Sequence, residues 1–341
     1  MAPDAIIAEA FAPAAASVQA GDIPGAVLGI VTADGARAVQ WAGAAQIEPV
    51  RESLLRETWF DLASLTKVIF TTTCILKLVE DGRIGLDDPL TVAIPDLRQY
   101  DMGAAERRLT FRQCLAHQTH LPAVEPLYTY GQDANTLRAF ILQRVWRSGP
   151  PVYSDINFML LGIAIECLAG KPLIEQPLPK DFSFRPDPKL CAATERCTWR
   201  DRVIRGEVHD ENAFALGGAS GHAGLFGTID GVLDFARSLL AGTSLAPESL
   251  KAIRTRESAT RTVGWEASHS GWHGGDACSD GTIGHTGFTG TGLWVDFERG
   301  LAWSLLTNRV HPTRHKDSGI LALRRATGER VIALFDGRAQ S

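Results

Sequence analysis

The chain has 341 residues, 45% hydrophobic and 21% charged, the balance of a folded globular protein large enough for its core to begin splitting into subdomains. Its formal net charge is −5 and its Lys and Arg residues are scattered, which excludes the basic footprint of a nucleic-acid binder and a polybasic membrane patch. No apolar run approaches the roughly 20 residues needed to cross a bilayer.

The opening stretch, MAPDAIIAEAFAPAAASVQAGDIPG, carries Asp4 and Glu9 and lacks a basic n-region. It reads as an amphipathic helix, not a secretory signal, so the expected location is cytoplasmic, or periplasmic had a leader been removed. AVLGIVT (26–32), the turn Ala33-Asp34-Gly35 and ARAVQWAG predict a β-hairpin. FDLASLTK (60–67) precedes VIFTTTCILKLVEDG, where Val68, Ile75, Leu76, Leu78 and Val79 cover one side of a helix that stops at Gly82. LTFRQCLAH (109–117), ANTLRAFILQRVW (134–146), INFMLLGIAIECLAG (156–170) and GVLDFARSLLAG (231–242) are helical in pattern, separated by loops such as SGPPVYSD and PLPKDFSFRPDP. GTIGHT, TGLWVDF and LAWSLLTN then predict short strands, followed by a closing helix over roughly 317–335. Strands at both chain ends with helices between them predict one sheet built from residues 1–85 and 262–341. A helical subdomain, 86–261, is inserted, with a cleft at the boundary.

Three stretches carry chemistry. Ser64 and Lys67 lie three residues apart at a helix start, so the amine sits one turn along on the same face, able to take or steer the serine proton. The helix N-terminus also offers N–H groups to a developing oxyanion. The structural alternative is an ordinary serine helix cap. In PVYSDINFMLLG (151–162), Ser154 or Asp155 could equally cap a helix with Tyr153 as a packing residue. Functionally, Tyr153 beside a lysine ammonium would serve as general base. IGHTGFTGTGLWVD (283–296) is either a Gly-rich edge strand or a cleft-lining strand whose Phe288 N–H joins that of Ser64 in an oxyanion hole.

Other signals are weaker. GGASGHAG lacks the Gly-Lys-Ser/Thr of a phosphate loop, and Ser220 and His222 miss nucleophile-elbow spacing. Cys114, His117 and His120 fall three apart without a fourth ligand. His209-Asp210-Glu211 is half of a zinc-deaminase signature, and His269, His273 and Cys278 sit in a Gly-rich loop. None of the six cysteines forms Cys-x-x-Cys. Cys191 and Cys197 could pair in an oxidising compartment, but free thiols are expected.

Taken in order, Ser64-Leu65-Thr66-Lys67, Tyr153-Ser154-Asp155 and His285-Thr286-Gly287 resemble the Ser-x-x-Lys, Tyr-x-Asn and Lys-Thr-Gly motifs of the serine β-lactamase and penicillin-binding-protein superfamily, most of all its class C branch with related esterases and DD-peptidases. GDIPGAV, GRIGLDDPL, LTFRQCLAH, GGASGHAGLFGT and LLTNRVHPT fit the same pattern, so the resemblance spans roughly residues 20–335. It implies a β-lactamase-like α/β (α+β) fold, an antiparallel sheet flanked by helices plus a helical subdomain. It also implies a serine hydrolase working through an acyl-enzyme without metal or organic cofactor. Ser64, Lys67 and Tyr153 would be catalytic; Phe288, His285, Thr286, Gly287, Asp155 and Asn308 would bind substrate or oxyanion. Asn308 and Arg309 fall where relatives contact a substrate carboxylate, with strand-end hydrogen bonding as the alternative.

Three departures from the pattern matter. Asp155 replaces Asn, which favours a charged Lys67 and shifts the base role to Tyr153. His285 replaces Lys, weakening the fixed charge for a substrate carboxylate. Gln118-Thr119-His120 stands where many relatives have Thr-Ser-Gly. The expected substrate is therefore a small ester or amide, with D-alanyl-D-alanine carboxypeptidase or weak β-lactamase as the alternative and a catalytically silent binding protein as the reading from another class.

Overall fold

The strand Gly25–Thr32 is apolar along its whole length because both of its faces are covered. The computed structural model describes residues 2–339. Val27 and Val31 join the core shared with the helical region, while Ala26, Leu28 and Ile30 join a second core on the opposite face, the alternation that a strand imposes. That second core is closed by Ile6, Ile7 and Phe11 from the N-terminus, by Trp272, Trp294 and Trp303, and by Leu323, Val331 and Ile332 from the C-terminal helix Ile320–Ala339. The first face packs on the helix Ile229–Leu240. A Cβ at Gly29 would lie 2.8 Å from side-chain atoms of Ile229 and Leu233, so this strand and helix approach as closely as a glycine allows.

The seven-stranded sheet runs, edge to edge, Glu52–Ser53, Arg37–Gln46, Gly25–Thr32, Leu301–Thr307, Gly292–Asp296, Ile283–Thr286 and Glu266–Ala267, with every neighbouring pair antiparallel. It is drawn from both ends of the chain, with Ala26 opposite Thr307 and Thr32 opposite Leu301 joining the two halves. Helices Phe111–Leu115, Ala134–Gln143 and Asp155–Ala169 occupy the stretches predicted for them. Two predicted helices are shorter or broken. Arg144 leaves the second for extended backbone, and the N-terminal one divides into Ile7–Ala10 and Ala12–Ala20 next to Pro13, which lacks an N–H to continue the ladder. All six cysteines are free. No helix among the described residues is long and apolar enough to cross a membrane.

The segment after Ser64 is not a simple α-helix. Residues Lys67–Thr72 form a π-helical stretch, with the Thr72 hydroxyl donating to the Lys67 carbonyl at 2.7 Å, before the α-helix Thr73–Glu80 begins. The Gly-rich loop 217–228 fastens this segment to its neighbours. Thr71 Oγ1 donates to the Gly221 carbonyl (2.6 Å), the Leu225 N–H donates to Thr66 Oγ1 (3.1 Å), and the Leu62 N–H donates to the Leu225 carbonyl (2.9 Å). On its other side Gly221 lies against the helix Asp155–Ala169, where a Cβ would fall 1.9 Å from the Phe158 carbonyl. Backbone atoms cannot yield as a flexible side chain would. Gly221→Ala is therefore expected to lower unfolding free energy by about 2 kcal/mol or more, whereas Gly149→Ala, with nothing within 4 Å of the new carbon, should stay within about 0.5 kcal/mol of the parent. Urea-unfolding midpoints of the two variants check this, and equal midpoints would refute the wedge.

Candidate active site

Ser64 follows Ala63, whose φ of 47° is left-handed for a residue with a side chain. The turn is held from behind by Asp61. One carboxylate oxygen accepts from the Ala63 N–H at 2.8 Å and the other from the His209 N–H at 2.6 Å, and burial pushes the pKa of this carboxyl upward. The motif strand is clamped to the same turn by the Thr289 hydroxyl on the Asp61 carbonyl (2.7 Å) and the Thr291 hydroxyl on the Leu62 carbonyl (3.0 Å). A Cβ at Gly287 would stand 2.6 Å from the Leu62 carbonyl oxygen, so the third motif needs its glycine for this approach.

Lys67 is completely buried. Its Nζ donates to Ser64 Oγ at 2.9 Å and to the His222 carbonyl at 3.0 Å, and it lies 2.8 Å from Asp155 Oδ1. Burial opposes its charge, but the Asp155 carboxylate and the Tyr153 hydroxyl outweigh that penalty and hold its pKa above the ordinary lysine value. The ammonium expected from the Asp155 replacement is what the surroundings favour. The Tyr153 ring stands between two cations, with Lys67 Nζ and the Arg261 guanidinium carbon each 5.1 Å from its centroid.

Two neutral imidazoles flank Tyr153. The His117 ring is 4.5 Å from it, and its Nδ1 accepts from the Ser154 N–H at 3.0 Å, which leaves the proton on Nε2. The His285 ring is 5.8 Å away, and its Nδ1 donates to the Thr286 carbonyl at 3.0 Å, leaving Nε2 as a buried acceptor without a partner. Burial, reinforced by the positive charges of Lys67 and Arg261, holds both well below the ordinary histidine pKa. Thr119, from the departed Gln118-Thr119-His120 segment, donates to Asn157 Oδ1 at 2.7 Å, and the Asn157 amide lies 3.4 Å from His117 Nδ1. That segment thus helps orient the histidine under Tyr153.

A cavity of about 460 Å³ opens here, lined among others by Ser64, Tyr153, Asp155, His285, Thr286, Gly287 and Phe288. Among the described residues, no acceptor is bonded to the N–H of Ser64 or of Phe288. The Phe288 side chain, 49% exposed, is stacked between His209 (5.7 Å) and the Arg309 guanidinium (4.6 Å). Asn308 is a correction. It is buried, its amide donates to the carbonyls of Ala44 and Ala45 at 3.3 and 3.0 Å, and it does not line the cavity, so the strand-end alternative holds. Its neighbour Arg309 does line it.

Sequence reasoning set aside His222 and Asp210 as parts of incomplete motifs and did not single out Arg261 and Arg324. His222 Nδ1 faces Ser220 Oγ at 2.9 Å and Nε2 faces Asp210 Oδ1 at 2.9 Å, which fixes the loop whose carbonyl receives Lys67. Burial disfavours the Asp210 carboxylate, but His222 and Lys67 outweigh it and hold its pKa below the usual range. Asp155, Asp210 and His222 bring ligand atoms within 4.8 Å of one another. The Lys67 ammonium already stands against Asp155, however, and its charge opposes a second cation there.

The chain was compared with known families and proteins. A model of the Beta-lactamase family matches residues 9–327. The chain is 32% identical to the N-acetylmuramyl-L-alanine amidase of Bacillus subtilis (strain 168), over 86% of this chain and 78% of that protein. It is 30% identical to a protein of Escherichia coli (strain K12) provisionally named D-alanyl-D-alanine carboxypeptidase, over 74% of this chain and 70% of the relative. The solved structure of a β-lactamase from Sulfitobacter sp. EE-36 shares the fold with a TM-score of 0.76 at 21% identity, covering 100% of both chains. A family match over nearly the whole sequence, with relatives aligned across most of their own length, shows that this protein belongs to the Beta-lactamase family of serine hydrolases.

Proposed function

We propose that this protein hydrolyses an ester or amide bond through an acyl-enzyme on Ser64. The observation that carries the reading is the buried Lys67 ammonium bonded at 2.9 Å to a serine hydroxyl that lines an open cavity. An ammonium that donates to Ser64 Oγ is no proton acceptor, so the base role falls to Tyr153, which stands beside both Lys67 and the cavity. In its phenolate form Tyr153 takes the Ser64 proton as Oγ bonds to the substrate carbonyl carbon. The free N–H groups of Ser64 and Phe288 receive the oxyanion. The proton passes from Tyr153 to the leaving group as its bond to carbon breaks, and water then repeats the sequence to release the acid. Thr286 and Gly287 shape the wall beside the scissile carbonyl, and Asp155 holds the ammonium.

The small ester or amide anticipated from the sequence remains compatible with this site. A peptide-type substrate with a free carboxylate, as the name of the Escherichia coli relative suggests, is favoured by the guanidinium groups on the cavity wall.

Treatment with a fluorophosphonate or a fluorescent penicillin should place the adduct on Ser64, read by mass spectrometry of the digested protein. Ser64→Ala should remove both the adduct and p-nitrophenyl ester turnover, and Tyr153→Phe should cut kcat/KM by about 10²–10⁴-fold. No adduct, with ester turnover unchanged in Ser64→Ala, would instead favour a silent binding protein.

A second expectation concerns pH. Asp155 raises the Lys67 pKa, so Asp155→Asn removes an anion that favours the ammonium and must lower it. The alkaline limb of the kcat/KM profile, where Lys67 loses its proton, should move to lower pH in Asp155→Asn. A limb that stays in place or moves upward contradicts the role assigned to the pair.

A further inference from the structure

The run His209-Asp210-Glu211 has the letters of half a metal signature, but each of its side chains has a different protein partner. Asp210 Oδ1 meets His222 Nε2 at 2.9 Å, beside the carbonyl that receives Lys67. Glu211 pairs with Arg314. His209 is 3% exposed and reaches toward both halves of the oxyanion hole. Its backbone N–H donates to Asp61 Oδ2 at 2.6 Å, and the other oxygen of that carboxylate receives the Ala63 N–H at 2.8 Å, immediately before Ser64. Its ring lies nearly parallel to that of Phe288, with centroids 5.7 Å apart and planes inclined by 20°. One residue therefore touches the carboxylate behind Ser64 and the side chain of Phe288. His209 does not itself line the cavity.

The histidine ring is held from behind. Its Nε2 lies 3.1 Å from Glu195 Oε2, on strand Ala193–Cys197, and 3.2 Å from a terminal nitrogen of Arg314. Arg314 Nε donates to the same Glu195 oxygen at 2.6 Å. Burial disfavours the Glu195 carboxylate, but the bonds from His209 and Arg314 outweigh it and hold its pKa at about 2, so it stays an anion. Phe288 has less support of its own. Its side chain is half open to water, where burial contributes little, and what the ring gains from His209 is a stacking partner fixed in place. The Arg309 guanidinium lies 4.6 Å from the Phe288 ring, and Arg309 Nε donates to the Phe288 carbonyl at 2.9 Å. The rotamer of a side chain is coupled to its own φ and ψ. A ring held in one place therefore restricts the peptide that carries the Phe288 N–H.

We propose that His209 is a positioning residue for the oxyanion hole: anchored by Glu195 and stacked on Phe288, its ring fixes the direction of the Phe288 N–H relative to Ser64 without touching the substrate. This role rests on the acyl-enzyme reading of Ser64, and it adds to that reading a residue outside the three motifs.

Two substitutions separate stacking from plain structural support. His209→Phe keeps a ring for Phe288 and gives up the polar contact to Glu195. His209→Gln keeps a polar group for Glu195 and gives up the ring. The backbone N–H to Asp61 is present in both. With p-nitrophenyl butyrate, His209→Gln should lose about 10–100-fold in kcat with KM within about threefold of the parent, while His209→Phe should keep kcat within about threefold. Phenylboronic acid, whose boron becomes tetrahedral on the Ser64 oxygen and places a hydroxyl in the oxyanion hole, should bind at least about tenfold more weakly to His209→Gln and within about threefold of the parent to His209→Phe. Phe288→Leu, a change at a half-exposed position, should reproduce the losses of His209→Gln. The reverse pattern, with His209→Gln active and His209→Phe impaired, would make the residue a support for Glu195 alone and overturn the proposal. An equal loss in both variants, a rise in KM with kcat intact, or no change in any of the three variants overturns it as well. Turnover persisting in Ser64→Ala, with no boronate inhibition of the parent enzyme, refutes the nucleophile and this role with it. Boronate inhibition of the parent that the variants leave unaltered refutes the role alone.

Discussion

The site depends on keeping one ammonium out of water. Lys67 has no solvent contact, and burying an unpaired cation of this size would cost far more than a domain's net stability. The fold must therefore bring it a carboxylate and a carbonyl from distant parts of the chain, Asp155 from the start of one helix and His222 from the Gly-rich loop. Much of the local architecture serves that convergence. Gly221 lets the loop lie flat against the Asp155 helix, Thr71 and Thr66 fasten the π-helical segment to the loop, and the His222 ring is fixed between Ser220 and Asp210. With these in place, Nζ also donates to the hydroxyl of Ser64, which lines the cavity.

The same charge organises what surrounds it. Two histidines lie within reach of Lys67 and Arg261, and both are driven toward the neutral form by burial and by these cations. Neutral imidazoles can pack against Tyr153 without adding charge, and their remaining nitrogens are fixed by the Ser154 N–H and the Thr286 carbonyl. Tyr153 is thus held by packing on both sides while its ring faces two cations. Its geometry is set by neighbours that do not compete with it for protons.

What the sequence made legible follows from how each feature is encoded. Ser64, Lys67, Tyr153 and the His285-Thr286-Gly287 strand could be named as candidates because their side-chain identity, spacing and order match the family's motifs, and the structure brings them together around one cavity. The antiparallel sheet drawn from both chain ends was legible from periodicity and turn residues. The His222 contribution was not, since it is made by a backbone carbonyl that any residue possesses. The π-helical stretch was missed because VIFTTT reads as an ordinary helix until Thr72 is seen bonding the Lys67 carbonyl. Asn308 was misplaced because the chain turns just past the strand Leu301–Thr307: its amide bonds the Ala44 and Ala45 carbonyls, and it is Arg309 beside it that lines the cavity.

The two motif replacements make sense together. Relative to a Tyr-x-Asn and Lys-Thr-Gly pair, Asp155 adds a negative charge and His285 removes a positive one. A lysine at 285 would stand in the field of Lys67 and Arg261, inside a region that already contains one buried ammonium. With Asp155 paired to Lys67 and His285 neutral, no second ammonium stands beside Lys67, and the further cations lining the cavity are the guanidinium groups of Arg261, Arg309 and Arg324. Arginine suits that position because it keeps its charge when partly desolvated and presents a planar fork to a carboxylate. Reading His285 in isolation suggested a lost carboxylate contact. The guanidinium groups of Arg261, Arg309 and Arg324 show that cations remain at the cavity without that lysine.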